Sequence, residues 1–329
     1  MNDGGFPPYA RITYIQDNQT MSFNRTNRGG SLANPLPSLV ERVAEDPVTI
    51  KTAQSTVTLA YQANIAGYWH NVTIVWSKNL MNHTLNITVD SLRGDFHYAC
   101  KIDLKPWLFW SKKGYKSFDV ESNKVNVYWD LRSAKFSGSP EPCSDYYVAL
   151  VSDEEVVLLL GDYKKKAYKK TKSRPALVEA SIFYKKENVF GKKNFATRAR
   201  FDERNQEHDI TVESTVAGHR EPEMWIYVDG ISVLHVKNLN WKFRGNQTIT
   251  VSKQPIQVFW DVHDWLFKSP GTGHGSFIFK PGSTESESDK DESSRGNDSD
   301  NSNGSIYHSA RSGIGHVDFC LFLCAWRVE

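Results

Sequence analysis

The feature that most constrains this chain is an internal match. Leu108 to Leu131 (LFWSKKGYKSFDVESNKVNVYWDL) aligns without gaps on Leu239 to Val262 (LNWKFRGNQTITVSKQPIQVFWDV), and seven of the twenty-four positions are identical. The identities are Leu108/Leu239, Trp110/Trp241, Gly114/Gly245, Val120/Val251, Val127/Val258, Trp129/Trp260 and Asp130/Asp261. Unrelated stretches would share roughly one or two residues, and rarely Trp. Shorter matches keep the same order: NITVDS at Asn86 answers DITVES at Asp209, and NIAG at Asn64 answers NVFG at Asn188. A chain organised this way is expected to fold as two like units.

Each unit reads as strands. STVTLAYQ, NVTIVWS, TLNITVDS, FHYACKIDL and KVNVYWDL alternate apolar and polar residues, as do HDITVES, EMWIYVDG, QTITVS and PIQVFWDV further on. They favour β-branched and aromatic types, which suits half-buried strands, and no comparable stretch shows a 3.6-residue period. About 15 to 18 short strands without crossover helices imply antiparallel pairing in sandwiches or barrels. The expected fold class is all-β: two tandem, internally duplicated antiparallel units, either barrel-like lobes or halves of one large sandwich, in a pseudo-two-fold arrangement. The boundaries follow composition. Residues 1–52 read as a disordered arm, 53–162 as the first unit, 163–175 as a basic linker and 176–329 as the second unit. Within the last, the Ser- and Asp-rich stretch 282–315 cannot bury a core and reads as a disordered excursion before a closing strand from Phe319 to Val328.

Composition excludes some classes. Forty basic residues against thirty-eight acidic ones leave a net charge of +2, so no global field directs the chain to nucleic acid, and specific nucleic-acid binding is not expected. No apolar run is long enough to span a bilayer, and the N-terminus has no apolar leader core. The expectation is a soluble intracellular protein of cytoplasm or nucleus, with peripheral membrane association as an alternative. Four scattered cysteines show no zinc spacing, and neither metal nor cofactor is expected.

Three groups of residues carry chemistry. The matched Trp110, Trp129, Trp241 and Trp260 could line a ligand cavity; equivalent residues in a repeat more often fill cores. Asp130, Asp261 and His263 could serve as acid and base in a hydrolase or isomerase acting on a sugar or lipid, against the plainer reading of Asp bonding a neighbouring backbone amide. His263 and Asp261 also stand as ligand-binding candidates beside the tryptophans. Lys164, Lys165, Lys166, Lys169, Lys170, Lys172 and Arg174 could meet an anionic surface or direct the protein to the nucleus, against a solvated connector.

KIDLKPWLFWSKKGYKSF, WDLRSAKFSGSPEPCSDYYVALVSDEEVVLLLGDYKKKAYKKTKSRPALVEA, NVFGKKNFATRARFDE and QVFWDVHDWLF resemble the plant-specific family of domain of unknown function 868 (DUF868). The likeness runs from about Ser55 through Pro281 and resumes over FCLFLCAWRVE. It implies a plant source and carries no catalytic residues that could be transferred. The function expected from the residues is non-catalytic: a binding or scaffold protein that recognises a small apolar ligand, a lipid surface or a partner protein.

Overall fold

The computed structural model describes residues 55–78, 83–92, 97–104, 112–201, 206–216, 221–282 and 319–328. The arm 1–52 and almost all of the excursion 282–315 lie outside the described residues.

Eight strands come first: β1 (Ser55–Ile65), β2 (Tyr68–Lys78), β3 (His83–Ser91), β4 (His97–Leu104), β5 (Lys113–Val120), β6 (Asn123–Asp130), β7 (Tyr147–Ser152) and β8 (Glu155–Leu160). A helix, α1 (Lys164–Thr171), and a two-residue strand, β9 (Arg174–Pro175), follow. The rest comprises β10 (Ser181–Gly191), β11 (Asn194–Ala199), β12 (His208–Ser214), β13 (Met224–Val228), β14 (Ile231–Val236), β15 (Arg244–Val251), β16 (Gln254–Asp261), α2 (His263–Phe267), β17 (His274–Pro281) and β18 (Cys320–Arg327).

These strands make three open sheets. A nine-stranded sheet runs β15-β16-β17-β18-β10-β1-β2-β3-β4, a four-stranded sheet runs β11 to β14, and a five-stranded sheet runs β5 to β9. The barrel-like lobes expected from sequence do not form. Apolar strand faces can be hidden by closure or by a second sheet, and here a second sheet covers each. Pairing is antiparallel except for β10 with β18 and β8 with β9, which are parallel.

Residues paired directly across neighbouring strands project from the same face of a sheet. One such row crosses the large sheet as Trp260, Phe277, Leu323, Glu187, Val57, Trp76, Leu85 and Ile102. The next reads Val258, Phe279, Leu321, Lys185, Leu59, Ile74, Ile87 and Cys100. Both rows are apolar in every strand but β10. The face divides accordingly. On one side β1 to β4 pack against β5 to β8, with Val125, Val127, Val148 and Leu150 opposite Ile74, Trp76, Leu85 and Ile87. On the other, β15 to β18 pack against β11 to β14, with Phe195, Ile210, Val212 and Ile226 opposite Val258, Phe277, Phe279 and Leu321. Both small sheets therefore sit on one face of the large sheet, side by side.

The matched stretches form hairpins of the same register, with Gly114 opposite Trp129 and Gly245 opposite Trp260. Their places differ: β5 and β6 belong to the five-stranded sheet, whereas β15 and β16 belong to the large one. The sheet topology of the described residues thus does not show the expected pseudo-two-fold. The stretch expected as a connector is largely α1. Ala167 is fully buried, and Tyr163 and Tyr168 join it against Tyr147, Ala149 and Val151 on the outer face of the five-stranded sheet.

In each hairpin the indole lies over the glycine. A Cβ at position 114 would stand 2.8 Å from Trp129 Cζ2, and one at position 245 would press still closer on Trp260 Cζ2. Gly114→Ala and Gly245→Ala are each expected to destabilise the fold by about 1–3 kcal/mol through this overpacking. Thermal unfolding of each variant checks this, and an unchanged midpoint would contradict it.

Candidate functional site

Where the two small sheets face each other, they leave a cleft of about 2050 Å³. Its floor is β1 and β10, bringing Val57, Leu59, Tyr61, Lys185, Glu187 and Val189. One wall is β8, lined by every residue from Val156 to Leu160, and the other is β11 with the turn after it, lined from Ala196 to Phe201. Side chains alternate along a strand, so continuous lining means that the strand edges themselves border the space. Residues 137–143, between β6 and β7, reach over one end and carry Glu141.

The charged centre of the large sheet opens into this cleft. Lys185 and Glu187 are 8% and 5% exposed, lie two residues apart on β10, and meet at 2.7 Å between Nζ and Oε1. Lys185 Nζ also donates to the backbone carbonyl of Arg198 on β11 at 2.8 Å and stands 3.6 Å from Glu141 Oε2. One ammonium thus links the central strand, the edge of the four-stranded sheet and the loop of the five-stranded sheet. Beside it, Arg198 pairs with Glu207 at 3.2 Å, and Arg200 lies 3.9 Å from the same carboxylate.

Burial works against the Lys185 charge, but Glu187 and Glu141 outweigh it and hold the amine above its ordinary value. Glu141 goes the other way for a carboxylate. Burial raises it, Lys185 offsets only part of that, and Glu187 and Glu207 add to the rise. Burial also pushes the phenols of Tyr61 and Tyr146 well up, with Glu141 contributing to both. The Thr197 hydroxyl, on β11 at 6% exposure, has no hydrogen-bond partner among the described residues.

The candidates from sequence lie elsewhere. Trp110 is outside the described residues. Trp129 is buried in the first core, and Trp260 is buried in the second, donating from Nε1 to the Lys242 carbonyl at 3.0 Å. Trp241 is 88% exposed. None of these three lines the cleft, whose tryptophan is Trp69. Asp130 and Asp261 sit at the ends of β6 and β16 in different sheets, and both do local work. Each accepts a backbone N–H from two residues on, Arg132 at 3.3 Å and His263 at 3.1 Å. Each also takes an arginine, Asp130 from Arg132 and Asp261 from Arg244, both at 2.8 Å. Burial opposes the Asp130 charge, but the Arg132 bonds and Lys113 hold its carboxyl below the ordinary range. His263 turns to Asp264 at 3.2 Å, whose carboxylate Lys268 also binds. Among the described residues no group of three His, Cys, Asp or Glu is placed to hold a metal. Lys164, Lys165, Lys166, Lys169, Lys170, Lys172 and Arg174 are all exposed, on α1 and the residues after it.

Sequence reading missed Lys185, Glu187 and Glu141. The signal present was the run KKEN between SIFY and VFG: four polar residues break the alternation, so the strand reads as ending at Tyr184, yet β10 continues to Gly191.

Replacing Lys185 alone strands two carboxylates without their counter-charge. Lys185→Met is expected to cost about 3–5 kcal/mol, whereas Lys185→Met with Glu187→Leu, flanked by Leu59, Leu321, Val57 and Leu323, recovers most of that loss. Denaturant unfolding of the single and double variants checks the order. The folded chain holds the Glu141 proton more tightly than the unfolded chain does. Its contribution to stability is therefore full below the ordinary value of 4.5 and is lost as pH rises through the raised folded value. Glu141→Gln removes this dependence, so the variant is expected to gain on the wild type as pH rises from about 4.5 towards neutrality. Equal pH profiles of unfolding would contradict it.

No curated protein and no solved structure matches the chain. The family model described as plant protein of unknown function (DUF868) matches residues 52–327, a span that includes every described strand, and the chain belongs to that family.

Proposed function

We propose that this is a non-catalytic binding protein whose cleft receives an extended polypeptide segment of a partner protein. The observation that carries the reading is the pair of open strand edges, β8 and β11, facing one space across a charged floor. A free edge presents backbone N–H and C=O groups in a row, and an added strand satisfies them. β9 covers β8 only at Glu155 and Val156. On β11 the Arg198 carbonyl points to Lys185, away from β12, and hydrogen-bonding sides alternate along a strand. The backbone groups of Ala196 therefore share the edge that faces the cleft.

Size and chemistry favour a peptide over a small apolar molecule. Pockets for small ligands usually enclose about 300–1,000 Å³, and this space is larger. Leu59, Leu158, Ile182 and Phe201 supply apolar contact, while Lys185, Glu187, Glu141 and the Thr197 hydroxyl, unpartnered among the described residues, supply polar contact. A strand with alternating side chains uses both.

The test is panning of a random linear peptide display library against the full chain. Binders with alternating apolar and polar residues are expected. Ala196→Pro removes an edge N–H without touching the β12 pairing and is expected to weaken those binders about tenfold with the unfolding midpoint unchanged. An empty library, or binders indifferent to Ala196→Pro, would overturn the reading.

A further inference from the structure

We infer that α1 and the residues after it form a docking surface for an anionic lipid membrane. The site borders the cleft, which Lys164, Tyr168 and Val178 also line, but the inference does not rest on the peptide reading. Ala167, Tyr163 and Tyr168 turn one side of α1 onto the five-stranded sheet, so the opposite side, with Lys165, Lys166, Lys169 and Lys170, faces solvent. Lys164 and Lys172 flank it, and Lys172 closes the helix in the left-handed region at φ 57°. Lys166 lies over the Tyr163 ring at 3.4 Å, and Arg174 is paired with Glu155 at 2.7 Å. Among the described residues the other five lysines make no ion pair. That is an unusual surplus for so short a stretch, because protein surfaces otherwise intersperse both signs.

A second observation selects lipid from among the anionic partners. Immediately beyond β9, Leu177 is 90% exposed and Val178 51% exposed. An apolar residue held out in water beside a cationic face gains from entering the boundary between headgroups and acyl chains, and gains nothing from a phosphate backbone in water. The Arg174 N–H bonds the Glu154 carbonyl, which brings the β7–β8 turn with Asp153 and Glu154 to this surface, and Glu179 stands two residues after Leu177. They trim the positive surplus without cancelling it. The helix is docked on a sheet before any membrane is met, so binding orders little new chain.

Sedimentation of the full chain with vesicles tests this, using phosphatidylcholine alone and equal parts phosphatidylcholine and phosphatidylserine. Binding is expected to the mixed vesicles only, and to be lost near 1 M NaCl, where the Debye length falls to about 3 Å. Replacing Lys165, Lys166, Lys169 and Lys170 together by Gln removes roughly fivefold in partitioning per charge, several hundredfold in all. Leu177→Ser lowers partitioning about tenfold at unchanged charge. The unfolding midpoints of both variants should match the wild type, since all five side chains are exposed. Equal binding to both vesicle types would overturn the proposal. So would full retention by the four-lysine variant, or binding of duplex DNA in place of vesicles that ignores Leu177→Ser.

Discussion

The architecture turns on the contact between Lys185 and Glu187 at the middle of the large sheet. Every neighbouring strand offers an apolar residue at these two levels, so continuing the pattern through β10 would produce one uninterrupted apolar face. Two charged side chains stop it. The small sheets cannot merge over them, because burying an ammonium and a carboxylate under apolar cover is costly unless their remaining bonds are met. The result is two cores on one face with a water-accessible gap between, and Ile182 is the residue of β10 that packs against both.

That gap is held in shape by the same ammonium. Lys185 reaches Glu187 on its own strand, the Arg198 carbonyl on one wall and Glu141 from the loop at the other. The attraction within such a buried cluster is offset by the desolvation of its charges, so the cluster is poor evidence of stability for its own sake. Its geometric effect is clearer. It fixes the separation of two strand edges that would otherwise pair with whatever chain they met, in this molecule or another.

Much of this was legible in the sequence. The strand texture and the small share of helix follow from period-two alternation and turn residues, which are local properties. The closing strand after the acidic stretch followed from an apolar segment that needed a partner, although its parallel seat beside β10 did not. What alternation cannot carry is which sheet a strand joins. β5–β6 and β15–β16 match in sequence and register yet belong to different sheets, because sheet membership depends on contacts made across more than a hundred residues. The cleft was hidden for a related reason. Lys185 and Glu187 read as an interruption of a strand, and only their cross-strand neighbours reveal them as the polar centre of an apolar face. α1 was hidden because six lysines outweigh one alanine and two tyrosines in any compositional reading, although those three residues decide where the helix packs.

β8 joins the two surfaces that this fold leaves open. Val156 packs with Ala167 beneath α1, while Val157 and Leu158, the next two residues, belong to the first core and border the cleft. A strand is stiff along its length, and β8 is held by β7 on one side over its whole run but by β9 on the other at only two positions. β8 thus forms the single packed layer between α1 and one wall of the cleft. The opposite wall, β11, belongs to a different sheet, and Lys185 bonds it to the cleft floor at the Arg198 carbonyl. One apolar strand and one buried ammonium therefore stand at the two walls: β8 carries the seat of the basic helix on its far side, and Lys185 ties the floor to β11 and to the loop that carries Glu141.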